Sequence, residues 1–78
     1  MSEADLGAAL GRAQDALLAL PGVVGTAIGK RTAGSGLAVH VYVDRPGDVE
    51  PVSEQAQLLL AGAPFEVRVT GRPSAEGG

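Results

Sequence analysis

The stretch Leu37-Ala-Val-His-Val-Tyr-Val43 decides how the rest of the chain is read. Leu37, Val39, Val41 and Val43 alternate with Ala38, His40 and Tyr42. Side chains along a strand point by turns to opposite faces. The period of two therefore predicts a strand with one apolar face and one mixed face.

Upstream, Val23-Val-Gly-Thr-Ala-Ile-Gly-Lys30 predicts a second strand. Strict alternation puts Val24, Thr26 and Ile28 on one face and Val23, Gly25, Ala27 and Gly29 on the other. That second face is unusually small, and glycine in a strand marks a bulge or a close backbone approach. Between the strands, Arg31-Thr-Ala-Gly-Ser-Gly36 is rich in turn residues, so the pair predicts a β-hairpin. Downstream, Phe65-Glu-Val-Arg-Val-Thr70 alternates again. It predicts a third strand with Phe65, Val67 and Val69 inward and Glu66, Arg68 and Thr70 outward.

Two helices fill the remaining length. Leu6, Leu10, Ala13, Leu17 and Leu20 form one narrow apolar stripe at helical spacing. Ser2 fits the N-cap with Asp5 three residues on, and Pro21-Gly22 stops the helix, which gives residues 2–20. Gly7 and Gly11 lie inside it; they read as tolerated, with close approach of another backbone as the alternative. Residues 44–50 read as a loop, and Pro51 suits the first turn of a second helix with Val52, Ala56, Leu59 and Leu60 on its apolar side. Gly62 fits its C′ position.

The order is α-β-β-α-β, an α+β class. One apolar face per strand and one stripe per helix predict two layers, with both helices on one face of a three-stranded sheet. The crossover into the third strand should be right-handed. Strand order stays open. Residues 1–72 form one domain, and the Gly-, Pro- and Ser-rich segment 73–78 reads as a flexible tail.

Composition narrows the function. A chain of 78 residues with no cysteine and one histidine has neither disulfides nor a histidine-cysteine metal site to strengthen a small core. Tight packing or oligomerisation remains. A net charge of −3, with six scattered Lys and Arg, speaks against nucleic acid held through phosphates. Two aromatic residues, Tyr42 and Phe65, make no stacking platform for single strands. No apolar run approaches the roughly 20 residues of a membrane span. The acidic start Met1-Ser-Glu-Ala-Asp5 is unlike a secretory leader, which leads to a cytoplasmic reading.

Candidate chemistry is sparse. His40 is the sole histidine and so the one candidate general base. On a polar sheet face, with Tyr42 two residues on and Glu66 or Arg68 as cross-strand neighbour, it reads as a solvated surface residue. Ser35 and Ser53 fit a flexible turn and a helix start. Gly25-Thr-Ala-Ile-Gly-Lys30 has the wrong glycine spacing for a phosphate loop and leads into a strand rather than a helix. Lys30, Arg31 and the Gly34-Ser-Gly36 turn could make a weak anion site. No cofactor and no metal is expected.

Residues 20–71 also carry a family likeness. Val24, Gly25, Gly29 and Lys30, then Val39, Val41, Tyr42 and Val43, then Gly62, Pro64, Val67 and Gly71 follow a pattern. It resembles the small N-terminal module found ahead of the protease domain in bacterial trypsin-like serine peptidases. Glu66 stands where that family often has aspartate, and the loop after Tyr42 is shorter. The resemblance implies an accessory, folding or association domain with no catalytic residue of its own. The expectation is a non-enzymatic module that binds a protein partner or a second copy of itself through the sheet. Gly25, Gly29, Lys30, His40 and Tyr42 are its candidate binding residues. The alternatives are the anion site at the turn from Lys30 to Gly36, and a protease-inhibitor or propeptide-like role.

Overall fold

The computed structural model describes residues 2–32 and 34–70; the predicted tail at 73–78 lies outside them. The chain folds as α1 (Glu3–Leu18), β1 (Val23–Lys30), β2 (Leu37–Val43), a 3-10 turn (Pro46–Asp48), α2 (Val49–Leu60) and β3 (Phe65–Val69). The sheet order is β1-β2-β3. β1 and β2 pair antiparallel, and β2 and β3 pair parallel. This is the α+β arrangement that the alternation and the helical stripes predict.

The core lies between the helices and one face of the sheet. Leu6, Ala9, Ala13 and Leu17 of α1 and Val52, Ala56 and Leu60 of α2 bury against Val39, Val41 and Val43. The α1 stripe is centred on Ala9 rather than Leu10, which is half-buried along with Leu20. Nearly all these side chains are small or aliphatic, so burial of hydrocarbon supplies the main drive to fold. Ser2 caps α1 as expected: its Oγ accepts the Asp5 N–H at 3.2 Å.

Strict alternation fails in β1. Val23 lies opposite Val43 and Gly25 opposite Tyr42, so Val24 is an extra residue in a bulge. The bulge turns Val23 toward the core and leaves Val24 58% exposed. Beyond it the pattern recovers, with Thr26 beside Val41 and Ile28 beside Val39.

The segment 44–50 is not a plain loop. The 3-10 turn runs directly into α2, which begins at Val49, two residues before Pro51. Proline within the first turn removes no helical hydrogen bond, so Pro51 does not mark the start. Asp48 caps α2 without a side-chain bond to it. Its carboxyl group lies instead against Gly22, where a Cβ would collide with it. Gly22 has φ +89, so glycine is required there both by backbone conformation and by space.

Among the described residues, no helix is long and apolar enough to cross a membrane.

Candidate functional site

The second face of the sheet carries most of the candidate residues. Gly25, Ala27 and Gly29 of β1 lie beside Tyr42, His40 and Ala38 of β2. Glu66 and Arg68 of β3 lie beside His40 and Tyr42. The rows across this face are Gly25–Tyr42–Arg68 and Ala27–His40–Glu66.

His40 is not the solvated residue that its strand position predicts. It is 4% exposed. Thr32 is the cause. It follows β1, yet its N–H donates to Glu66 Oε2 at 2.9 Å and its hydroxyl to Glu66 Oε1 at 2.8 Å. Because β2 separates β1 from β3, the hairpin connection has to cross the central strand to reach Glu66. Ala38 and His40 are buried beneath that crossing.

The ring is held from both sides. Its Nε2 lies 2.9 Å from the Lys30 carbonyl oxygen. A carbonyl only accepts, so Nε2 carries the hydrogen and donates it. Nδ1 is buried without a hydrogen-bond partner, 3.8 Å from Glu66 Oε1. A Cβ on Gly29 would sit 3.6 Å from the ring, in ordinary contact. Tyr42 lies alongside, nearly parallel to His40, with ring centroids 6.3 Å apart.

Glu66 joins the loop to β3 as a carboxylate. The Thr32 N–H and hydroxyl hold its carboxyl below the usual range, with smaller help from the charges of His40 and Arg68 and against the opposing effect of burial.

The candidate residues thus divide. Gly29, the Lys30 carbonyl and His40 form one clamp with Thr32 and Glu66. Gly25 and Tyr42 are a cross-strand pair at the other end of the face, where no helix of the described residues lies over them. Ala27 and Arg68 are exposed there. Glu66 was a possible neighbour of His40 from strand spacing alone. Thr32 carried no signal, since its bond spans 34 residues from a turn-rich segment.

The turn forms a shallow pocket of about 360 Å³ lined by Lys30, Arg31, Gly34, Ser35, Gly36 and Leu37. Its backbone donors are partly spent. The Arg31 N–H goes to the Gly36 carbonyl at 3.1 Å, and that of Thr32 to Glu66. The Glu66 carboxylate beside Thr32 also opposes an anion. Among the described residues no group of three or more His, Cys, Asp or Glu could hold a metal ion.

No protein-family model matches the chain, and neither a curated protein nor a solved structure is significantly similar to it.

Proposed function

We propose that this protein is a non-enzymatic association module that joins another protein through its sheet. One observation carries the reading. Both helices lie on the Val39-Val41-Val43 side, so among the described residues no helix covers the strip of Gly25, Ala27, Tyr42 and Arg68, in which Ala27 and Arg68 are exposed and Gly25 and Tyr42 half-buried. β1 and β3 are also edge strands among the described residues. Unpaired edges are templates for another chain, and natural proteins cover, blunt or use them. A small aliphatic core gains from such cover.

The chemistry of His40 supports the same reading. One ring nitrogen is engaged by a carbonyl and the other is shut from solvent. A general base has to reach the proton that it removes. The likeness of residues 20–71 to the accessory module of bacterial peptidases agrees with a role without catalysis.

The test is site-specific photocrosslinking in the native host. A photoreactive residue at Ala27 or Val69, on the sheet, should join the chain to one defined protein, itself included. The same residue at Gln14, on the exposed side of α1, should not. Equal labelling at all three positions, or none at any, removes the reading.

A second reading rests on the pocket at the turn: a weak anion site at Lys30 and Arg31. Titration with inorganic phosphate that shifts no amide signal of Arg31, Ser35 or Gly36 would remove it.

A further inference from the structure

The free edge of β3 has a pattern of its own. Val39 donates its N–H to the Pro64 carbonyl, and Thr70 donates to the Val43 carbonyl, each at 3.0 Å. Residues that bond a given neighbour alternate along a strand. Positions 64, 66, 68 and 70 therefore direct their backbone groups to β2. The N–H and C=O groups of Phe65, Val67 and Val69 point the other way, where no described strand lies.

The side chains follow a matching symmetry. β3 reads Phe65-Glu-Val-Arg-Val69. A negative and a positive residue stand at equal distance from Val67 on the face away from the helices, the Glu66 carboxylate also holding Thr32. Apolar residues stand at equal distance on the helix face.

We infer that the association read above is with a second copy of this chain, through antiparallel pairing of the two β3 strands about a twofold axis at Val67. Val67 then faces Val67 of the second copy, and Phe65 faces Val69 of the second copy. These are the positions whose backbone groups point outward, so they form the hydrogen-bonded pairs. Glu66 and Arg68 fall opposite Arg68 and Glu66 of the second copy. Those are non-hydrogen-bonded pairs, where side chains approach closest. The backbone and the charges thus specify the same centre independently.

Other registers lose this agreement. Moving the centre to Phe65 sets Glu66 against Pro64, and moving it to Val69 sets Arg68 against Thr70. Parallel pairing in register would set Glu66 beside Glu66. The β1 edge is a poorer template, because the bulge at Val24 interrupts it. Pairing through β3 makes one continuous sheet with both helical layers on the same side. It also covers Val69, which is 41% exposed in the single chain.

The test is sedimentation velocity of the full chain over a concentration series, with Arg68→Glu and Arg68→Lys beside the parent. Arg68 is exposed and outside the core, so neither change threatens the fold. The parent should dimerise. Arg68→Glu sets like charges opposite each other twice and should weaken the dimer roughly tenfold or more, while Arg68→Lys should shift it by less than about threefold. In a mixed isotope-labelled sample, the Hα atoms of Glu66 and of Arg68 in the second copy should give an intermolecular NOE. A parent that stays monomeric to about 1 mM overturns the self-pairing. So does a dimer indifferent to Arg68→Glu, or one without that NOE. The association reading survives any of these results if Val69 or Ala27 crosslinks to a different protein.

Discussion

The ring of His40 spans the hairpin to which it belongs: Nε2 donates to the carbonyl oxygen of Lys30, ten positions earlier, across 2.9 Å. The bond fastens the last residue of β1 to the middle of β2, and the histidine that makes it is buried. Removing the ring takes the partner from a part-buried hydrogen bond of the Lys30 carbonyl and leaves a gap beside Gly29. His40→Ala should destabilise the fold by about 1–3 kcal/mol, measured by chemical denaturation near neutral pH. A loss within error of zero would mean that the clamp carries no stability.

Glu66 makes the clamp sensitive to acid. Its folded-state pKa is lowered, first by the Thr32 backbone N–H and then by the Thr32 hydroxyl. A depressed carboxyl pKa contributes stability that is complete above the unfolded-state value. That contribution is lost as pH falls through the lower folded-state value. In a carboxyl NMR titration Glu66 should therefore titrate below the ordinary glutamate value. Thr32→Ala keeps the backbone donor but loses the hydroxyl, so it should raise the Glu66 pKa part of the way back. Glu66 titrating at the ordinary glutamate value would show that the Thr32 bond does not hold in solution.

The difference between what was legible and what was not follows contact range. The alternation of Val39, Val41 and Val43 and the caps at Ser2 and Gly62 are local, so they give the elements and the buried face directly. Strand pairing adds the Ala27–His40–Glu66 row. The bulge at Val24 shifts one residue in a run of small side chains, where either face looks acceptable, and so it escapes an alternation count. The burial of His40 depends on Thr32 meeting Glu66 across 34 residues. Such a contact is set by where the turn lands, which no periodicity encodes. Pro51 does lie in the first turn of α2, but proline is accepted throughout that turn, so it does not tell that Val49 and Glu50 belong to the helix and not to the loop.

The helices carry local faults that can be repaired. Gly7 and Gly11 are exposed on α1, and an added Cβ at either would meet nothing within 4 Å. Close approach of backbone among the described residues is therefore no reason for them. Ala61, after α2, has φ 52 and ψ 47, a left-handed conformation that disfavours any side chain. Gly7→Ala and Gly11→Ala should each stabilise by about 1 kcal/mol. Ala61→Gly should stabilise by about 0.5–1 kcal/mol. Thermal or chemical denaturation checks all three. A loss of stability at Gly7 or Gly11 would instead point to a backbone packed on α1 in an assembly.

Gly25 and Gly29 separate the two surfaces of the sheet. In the single chain alanine fits at both: Gly25 has nothing within 4 Å of the added Cβ, and Gly29 only the His40 ring at 3.6 Å. Alanine in a strand lowers the conformational freedom of the unfolded chain, so the double substitution should stabilise by about 0.5–1 kcal/mol per site. Both residues lie on β1, with β2 between them and β3. Pairing through β3 leaves them untouched, so the dimer measured by sedimentation should be unchanged while denaturation shows a more stable chain. If the same variant gains stability but loses association, the contact is on the β1 side of the uncovered face. The glycines would then be there to admit a partner backbone, and Arg68→Glu would have little effect.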